Sequence, residues 1–300
     1  MFRCVNGAVI IPPAWEEIRA LLANRETGVV YVLGQTDTGK STLCRSLVGK
    51  MAGPEPVAYL DADTGQSTIG PPATIGLVFC AGKPTRLTRT FLRFVGSTSP
   101  QGHMIQHLVS TARLLDIARD QGVGPVIIDS PGWVEGPVAA EFQTRMIDLL
   151  HPDVVVAIQE GRELEGILAN FRKRAGMTIR SVAPSPQAQV RSRAWRARYR
   201  QERFRTYFSG HILIEIPLSG RGFHGRIPDS FRDEDWKNLL IALCDPDMLV
   251  ISLAIVEKLD LVEGILAIRS PPVELSRVAS VQVGSIRLEP GVDFFVEGQS

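Results

Sequence analysis

The chain has 300 residues, 44% of them hydrophobic, a mean hydropathy of +0.06 and a net charge of +1, which excludes a disordered chain and allows one large domain or two ordinary ones. No run approaches the ~18 consecutive apolar residues of a membrane span, and the start lacks a signal-peptide h-region. The four cysteines (Cys4, Cys44, Cys80, Cys244) are far apart with no CxxC pair, which argues against a zinc site or disulfide scaffold and for a reducing cytoplasm.

In chain order, GVVYVL (28–33) predicts a buried strand ending at Gly34, and STLCRSLVGKM (41–51) a helix entered through Ser and Thr. VAYLDAD (57–63) predicts a second buried strand ending in two carboxylates. TIGLVFC (74–80) and TFLRFVG (90–96) suit further strands, and apolar spacing over 102–121 suits a long helix. PVIID (125–129) predicts a third buried strand and 138–150 a helix. DVVVAIQ (153–159) predicts a fourth strand, followed by a helix over roughly 163–174, and HILIEIP (211–217) a fifth strand. Strands alternating with helices imply an α/β fold with a parallel sheet covered on both faces. From 231 the pattern changes to closely spaced strand-like runs (LLIAL, MLVISLAIV, GILAIRS, VASVQVG, DFFVEG). The expected division is therefore 1–230, an α/β nucleotide-binding domain, and 231–300, a small β-rich domain.

Between the first strand and first helix stands Gly34-Gln35-Thr36-Asp37-Thr38-Gly39-Lys40-Ser41, followed by Thr42. This is the GxxxxGK[ST] phosphate loop in the context it demands. The glycines let several N–H groups face one anion. Lys40 supplies a point charge for the β- and γ-phosphates, and the Ser41 hydroxyl is hard oxygen for Mg²⁺. The helix that follows offers its positive end to the phosphates. A nucleoside triphosphate and Mg²⁺ are the expected cofactors. Asp61, Asp63 and Asp129 end neighbouring strands, where carboxylates hold Mg²⁺ or accept a proton; each is also a residue type that caps turns.

Charge is unevenly spread. Asn170–Arg205 carries eleven basic residues against one acid, Glu202, so this window is +10 and the remainder −9. Such an asymmetry implies a polyanionic partner or a solvated Arg-rich helix. Arg196 and Arg200, at i and i+4, share one helical face.

GQTDTGKSTLCR, YLDADTGQSTIGPPATIGL, FVGSTSP and IIDSPGWVEG, in that order, resemble the polynucleotide 5′-hydroxyl kinase family. That family includes the kinase subunit of the eukaryotic mRNA 3′-end cleavage machinery, the ribosomal-RNA-processing 5′-kinases and archaeal relatives. The resemblance covers roughly residues 10–217 and, more weakly, the β-rich tail. It implies a P-loop kinase fold and transfer of the γ-phosphate of ATP or GTP to the 5′-hydroxyl of RNA or DNA. It assigns Lys40 and Ser41 to the phosphates and metal, and Asp63 to activation of the 5′-hydroxyl. Gln66 falls near the acceptor end. Ser130-Pro131-Gly132-Trp133 matches a Thr-x-Gly-Trp clasp on the nucleic acid, with Ser in place of Thr. Arg196 and Arg200 match an Arg-x-x-x-Arg lid, here about 186–208. Only about 25 residues precede the first strand, so the large N-terminal domain of some relatives is not expected.

Several side chains keep two readings. Trp133 is a stacking platform or core packing. Trp195 stacks on a base or anchors its helix. Ser97, Thr98 and Ser99 bind phosphate or cap a helix. His103 and His107 share a helical face but lack a third metal ligand, so ordinary helix roles are expected. The rivals to a polynucleotide kinase are a small-nucleoside kinase, which needs no +10 segment, and a nucleotide-binding adaptor of an RNA-processing complex, which needs no intact Lys40, Asp63 and arginine pair. No membrane association is expected, and no protein partner is identified.

Overall fold

A computed structural model of the chain describes residues 12–23, 28–82, 85–289 and 296–297. Cys4 and most of the expected last strand, DFFVEG, lie outside them. By contact the chain forms two units. One comprises Met1–Gly70, Ile75–Phe91 and Ser99–Arg191, the other Pro71–Thr74, Leu92–Thr98 and Ser192–Ser300.

The uninterrupted apolar runs of the first unit become fully buried strands, as expected where both faces of a sheet are covered. Its elements in order are α1 (Pro13–Ala23), β1 (Val29–Gly34), α2 (Lys40–Met51), β2 (Val57–Asp61), β3 (Thr74–Ala81), β4 (Arg86–Phe94), α3 (Met104–Asp120), β5 (Val126–Asp129), α4 (Pro137–Leu150), β6 (Val154–Ile158), α5 (Glu165–Leu168) and β7 (Thr178–Val182). The sheet order is β4-β3-β2-β5-β1-β6-β7. The run β2-β5-β1-β6-β7 is parallel, and β3 pairs antiparallel with β2. Side chains alternate across a strand. Val30 and Val32 therefore face α1 and α2, packing with Trp15, Ile18, Leu43 and Leu47. Tyr31 points the other way, to α4, where its hydroxyl meets Gln143. The α/β P-loop fold is as the sequence predicts.

The second unit carries α6 (Arg193–Tyr207), β8 (Ile212–Pro217), β9 (Gly222–Gly225), α7 (Asp233–Trp236), β10 (Leu239–Cys244), β11 (Val250–Asp260), β12 (Ile265–Ser270), β13 (Ser280–Arg287) and β14 (Val296–Glu297). Its sheet runs β14-β13-β10-β11-β12-β8, with β9 parallel to β13. Alternate residues of β10 feed two cores. Ile241 and Leu243 face Trp236 and Val256, whereas Leu240 and Ala242 face Phe94, Phe204 and Phe208.

Two expected elements differ. HILIEIP does not extend the parallel sheet; β8 pairs antiparallel with β12 in the second sheet. Only Ile216 of β8 is buried, so an apolar run here marks a sheet edge. The helix expected over 163–174 is one turn, α5. Asn170 explains this, because its side-chain amide donates to the Gly166 and Ile167 carbonyls and competes with helical bonding.

Candidate active site

The phosphate loop leaves the buried end of β1 and closes onto α2. Gly39 caps α2 at φ 96°, and a Cβ there would stand 2.8 Å from the Trp15 ring. Only glycine suits that conformation and that contact. Asp37 also adopts positive φ, 66°, which Asp tolerates in turns. Lys40 is buried, and its Nζ donates to the Gln35 carbonyl at 2.7 Å. The Thr38 hydroxyl donates to the same carbonyl at 2.9 Å. Burial pushes the Lys40 pKa down, while the Asp129 and Asp63 carboxylates pull it back. Gln35, Thr36, Ser41 and Thr42 are half-buried.

Asp61 and Asp129 are register partners on β2 and β5, and both are buried. Asp61 is committed to its own loop. It accepts from Asp63 N at 3.1 Å, Thr68 N at 2.6 Å and the Thr68 hydroxyl at 2.8 Å. Burial, then the neighbouring Asp129, raises it to about 7 against those hydrogen bonds. Asp129 accepts from the Tyr59 hydroxyl at 2.9 Å through Oδ2, and its buried Oδ1 has no hydrogen-bond donor. Burial also raises Asp129, eased by Lys40 and Ser41. Asp63 is half-buried. Its Oδ1 takes the Gly65 and Gln66 N–H groups, each at 2.9 Å, which leaves Oδ2 outside the turn.

The Ser130–Trp133 turn meets the phosphate loop directly. The Thr36 hydroxyl donates to the Gly132 carbonyl at 3.4 Å. A Cβ on Gly132 would sit 2.4 Å from Thr36 Oγ1 and 2.7 Å from its backbone, so only glycine permits this approach. Ser130 is fully buried, so its hydroxyl shapes the turn from inside. Trp133 is half-buried and packs on Phe142 at 5.7 Å. Ser97 is buried.

Three further residues hold these segments; of them only His107 was singled out in the sequence, as an ordinary helix residue. Gln143 on α4 donates to the Pro131 and Trp133 carbonyls, each at 3.0 Å. His107 on α3 is buried, with Nε2 2.8 Å from the Ala62 carbonyl. Burial lowers His107 to about 4, so it is neutral at pH 7. Arg191, counted only as surplus charge, binds through its N–H to Asp37 Oδ2 at 2.8 Å and through its guanidinium to Gln66 Oε1 at 3.0 Å. A polar residue on the buried face of a predicted helix was the signal for Gln143 and His107; nothing in the local sequence singles out Arg191. Among the described residues no cluster of three His, Cys, Asp or Glu could hold a metal by itself.

Arg196 and Arg200 lie in the second unit on α6 and are half-buried. The helix is capped by Ser192, whose hydroxyl accepts from Trp195 N.

The family profile described as mRNA cleavage and polyadenylation factor CLP1 P-loop matches residues 34–210. The chain belongs to this family. A CLP1-family relative from Pyrococcus furiosus, named polyribonucleotide 5′-hydroxyl-kinase, is 31% identical over 204 residues, covering 67% of this chain and 56% of the relative. One of the same name from Thermococcus kodakarensis is 26% identical over 310 residues, covering 86% and 88%. Bovine polyribonucleotide 5′-hydroxyl-kinase Clp1 is 30% identical over 201 residues, covering 60% of this chain and 45% of that one. The chain thus spans about half the length of some of these relatives and most of others. A Clp1p chain solved in complex with Pcf11p has the same fold at TM-score 0.69 and 14% identity, covering 91% of this chain and 77% of that one. No described helix is long and apolar enough to cross a membrane.

Proposed function

We propose that this CLP1-family chain is a polyribonucleotide 5′-hydroxyl kinase, using ATP or GTP and acting on RNA and, by the same chemistry, on DNA ends. One observation carries the reading. The Gly132–Trp133 turn is pressed against Thr36 of the phosphate loop, in the unit that also holds Asp63. The names of the relatives supply the acceptor class.

The roles follow from the side chains. Lys40 and the first-turn N–H groups of α2 hold the transferring phosphoryl. Asp63 Oδ2 takes the proton of the 5′-hydroxyl, while Oδ1 keeps its loop in place. Gln66 and Trp133 line the acceptor side. Arg196 and Arg200 supply the spread positive charge that a phosphoryl in flight requires. The residues fit Mg²⁺: Asp129 Oδ1 is a buried oxygen without a donor, and the Ser41 hydroxyl eases the same carboxylate. Ser41, Asp129 and Asp63 would hold the ion. The chemistry it would supply there is positive charge against the phosphates.

The test is transfer of label from γ-labelled ATP or GTP to 5′-hydroxyl RNA and DNA oligonucleotides. Label on the 5′ end of RNA is the expected result. Nucleotide binding with no transfer would make the chain an adaptor. Equal transfer to a free nucleoside would make it a small-molecule kinase.

A further inference from the structure

The loop that follows β2 carries Asp63 and Gln66, and its far end belongs to a different core. The chain leaves the first unit after Gly70, places Pro71–Thr74 in the second, and returns at Ile75. Ala73 is the fixed point of that excursion. It is fully buried in a cluster with Phe94, Phe204, Phe208, Leu240 and Leu253. Its carbonyl accepts from Val95 N at 2.9 Å and Gly96 N at 3.3 Å. Gly96 is held in turn by β13. Its carbonyl accepts from Ser285 N at 2.9 Å and from the Ser285 hydroxyl at 3.2 Å. A Cβ on Gly96 would stand 2.8 Å from Gly284 Cα, so the two backbones touch.

Ala73 takes φ 70°, a conformation for which glycine is the ordinary choice. Asp37, His151 and Asn238 take positive φ too, but their polar side chains favour that region and alanine has none. An alanine here strains the backbone, and what it gains over glycine is one methyl inside the core. Pro71 and Pro72 fix φ at two successive residues, so the link from Ala73 back to Gly70 is stiff. The Thr74 hydroxyl closes this turn by donating to the Pro71 carbonyl at 2.7 Å. We propose that Ala73 is a positioning residue: its methyl, seated in the core of the second unit, sets the conformation of the loop that carries Asp63 and Gln66. Phe204 of α6 lies in the same core, so the helix that bears Arg196 and Arg200 shares this anchor. The β-rich unit is then part of the catalytic apparatus rather than an appendage. This deepens the kinase reading and rests on it for the role of Asp63.

The test uses the full chain and Ala73→Gly, which relieves the backbone and removes only the methyl. Amide hydrogen exchange over residues 63–70 is followed without substrate, beside Tm and label-transfer kinetics. The Gly65 and Gln66 N–H groups are bonded to Asp63 Oδ1 and report the loop directly. Their exchange is expected to rise about ten-fold as the loop opens more often. The kcat should fall about ten-fold or more, with KM for ATP unchanged. The control is Val256→Ala, in the other core of the second unit. It should lower Tm at least as much and leave both loop exchange and kcat alone. Unchanged exchange over 63–70 in Ala73→Gly would overturn the proposal. So would raised exchange with an unchanged kcat, or the same losses in Val256→Ala. Exchange is read without turnover, so a loop that loosens in a chain that never phosphorylates a strand would sink the kinase reading alone.

Discussion

Lys40 and Asp63 respond differently to substitution because their surroundings differ. Lys40 is buried, and its ammonium already binds the Gln35 carbonyl. Lys40→Ala removes the charge opposite the phosphates and should cut kcat by about 10²–10³-fold. Asp63→Asn is gentler on structure, since an amide oxygen still accepts from Gly65 and Gln66 N–H. It cannot take a proton, so kcat should fall by about 10²-fold or more with nucleotide affinity kept. Label-transfer kinetics and nucleotide titration check both. An unchanged kcat in Asp63→Asn would move the base to Asp129, because Asp61 already accepts three hydrogen bonds. Gly132 and Trp133 are adjacent but should separate in the same assays. Gly132→Ala places a methyl 2.7 Å from the Thr36 backbone, which has no rotamer with which to yield. Overpacking of this kind costs about 1–3 kcal/mol, and here it displaces the phosphate loop, so nucleotide affinity and Tm should both fall. Trp133→Ala should weaken strand binding by about 1–3 kcal/mol and spare the nucleotide. A loss of nucleotide affinity in Trp133→Ala would return this indole to the core. The place of Lys40 at the start of α2 was legible in the spacing of the phosphate loop, whereas Asp63 and Gly132 were singled out only through the family resemblance. Arg191 was not, because its partners Asp37 and Gln66 are more than a hundred positions away in sequence.

Helices α3 and α4 hold the loops that follow β2 and β5. Each directs one polar side chain from a buried face to backbone carbonyls, Gln143 to Pro131 and Trp133, His107 to Ala62. The strands that place these loops were readable as apolar runs, and α3 and α4 as 3.6-residue periodicity. The sheet to which β8 belongs was not, because pairing partners are set by tertiary context that a six-residue run does not encode. His107 gives the element-scale prediction. Its folded pKa, about 4, lies below the ordinary value of 6.5. As pH falls, the unfolded chain takes up this proton first, so stability is lost between about 6.5 and 4, by about 3 kcal/mol at most. Asp61 acts with opposite sign, since its folded pKa is raised to about 7 and the folded state holds that proton more tightly. The total pH curve therefore shows only a balance. The comparison with His107→Gln, which keeps a donor for Ala62 and removes the titration, isolates the histidine. Denaturant melts should show the wild type losing ground to this variant on acidification from pH 7 to 4.5. Parallel curves would mean that His107 is already accessible to protons in the folded chain.

Charge is the property that belongs to the whole molecule, and it separates a polymer acceptor from a small one. Some of the eleven basic side chains of residues 170–205 are paired within the protein. Arg172 pairs with Glu165, Arg174 with Asp148 and Arg205 with Glu202. What is left is concentrated on α6 and the loop before it. Each strand phosphate neutralised there releases counterions, so affinity for a single strand should fall by about 0.7 log units per log unit of salt for each contact. A nucleoside acceptor has no backbone and should show almost no slope. The arginines should then sort by position. Arg198 is exposed and is expected to contact phosphate, so Arg198→Ala should reduce the slope by about one contact while leaving kcat at saturating strand. Arg205 must first leave Glu202, but an exposed pair of this kind holds by less than about 1 kcal/mol, so Arg205→Ala should reduce the slope less. Arg196→Ala and Arg200→Ala should lower kcat itself, because charge on the transferring phosphoryl is developed only in the transition state. The measurement is KM and kcat for oligonucleotides of one to six residues across a salt series. A KM independent of both length and salt would show that the basic window is a solvated face, and the acceptor a small molecule.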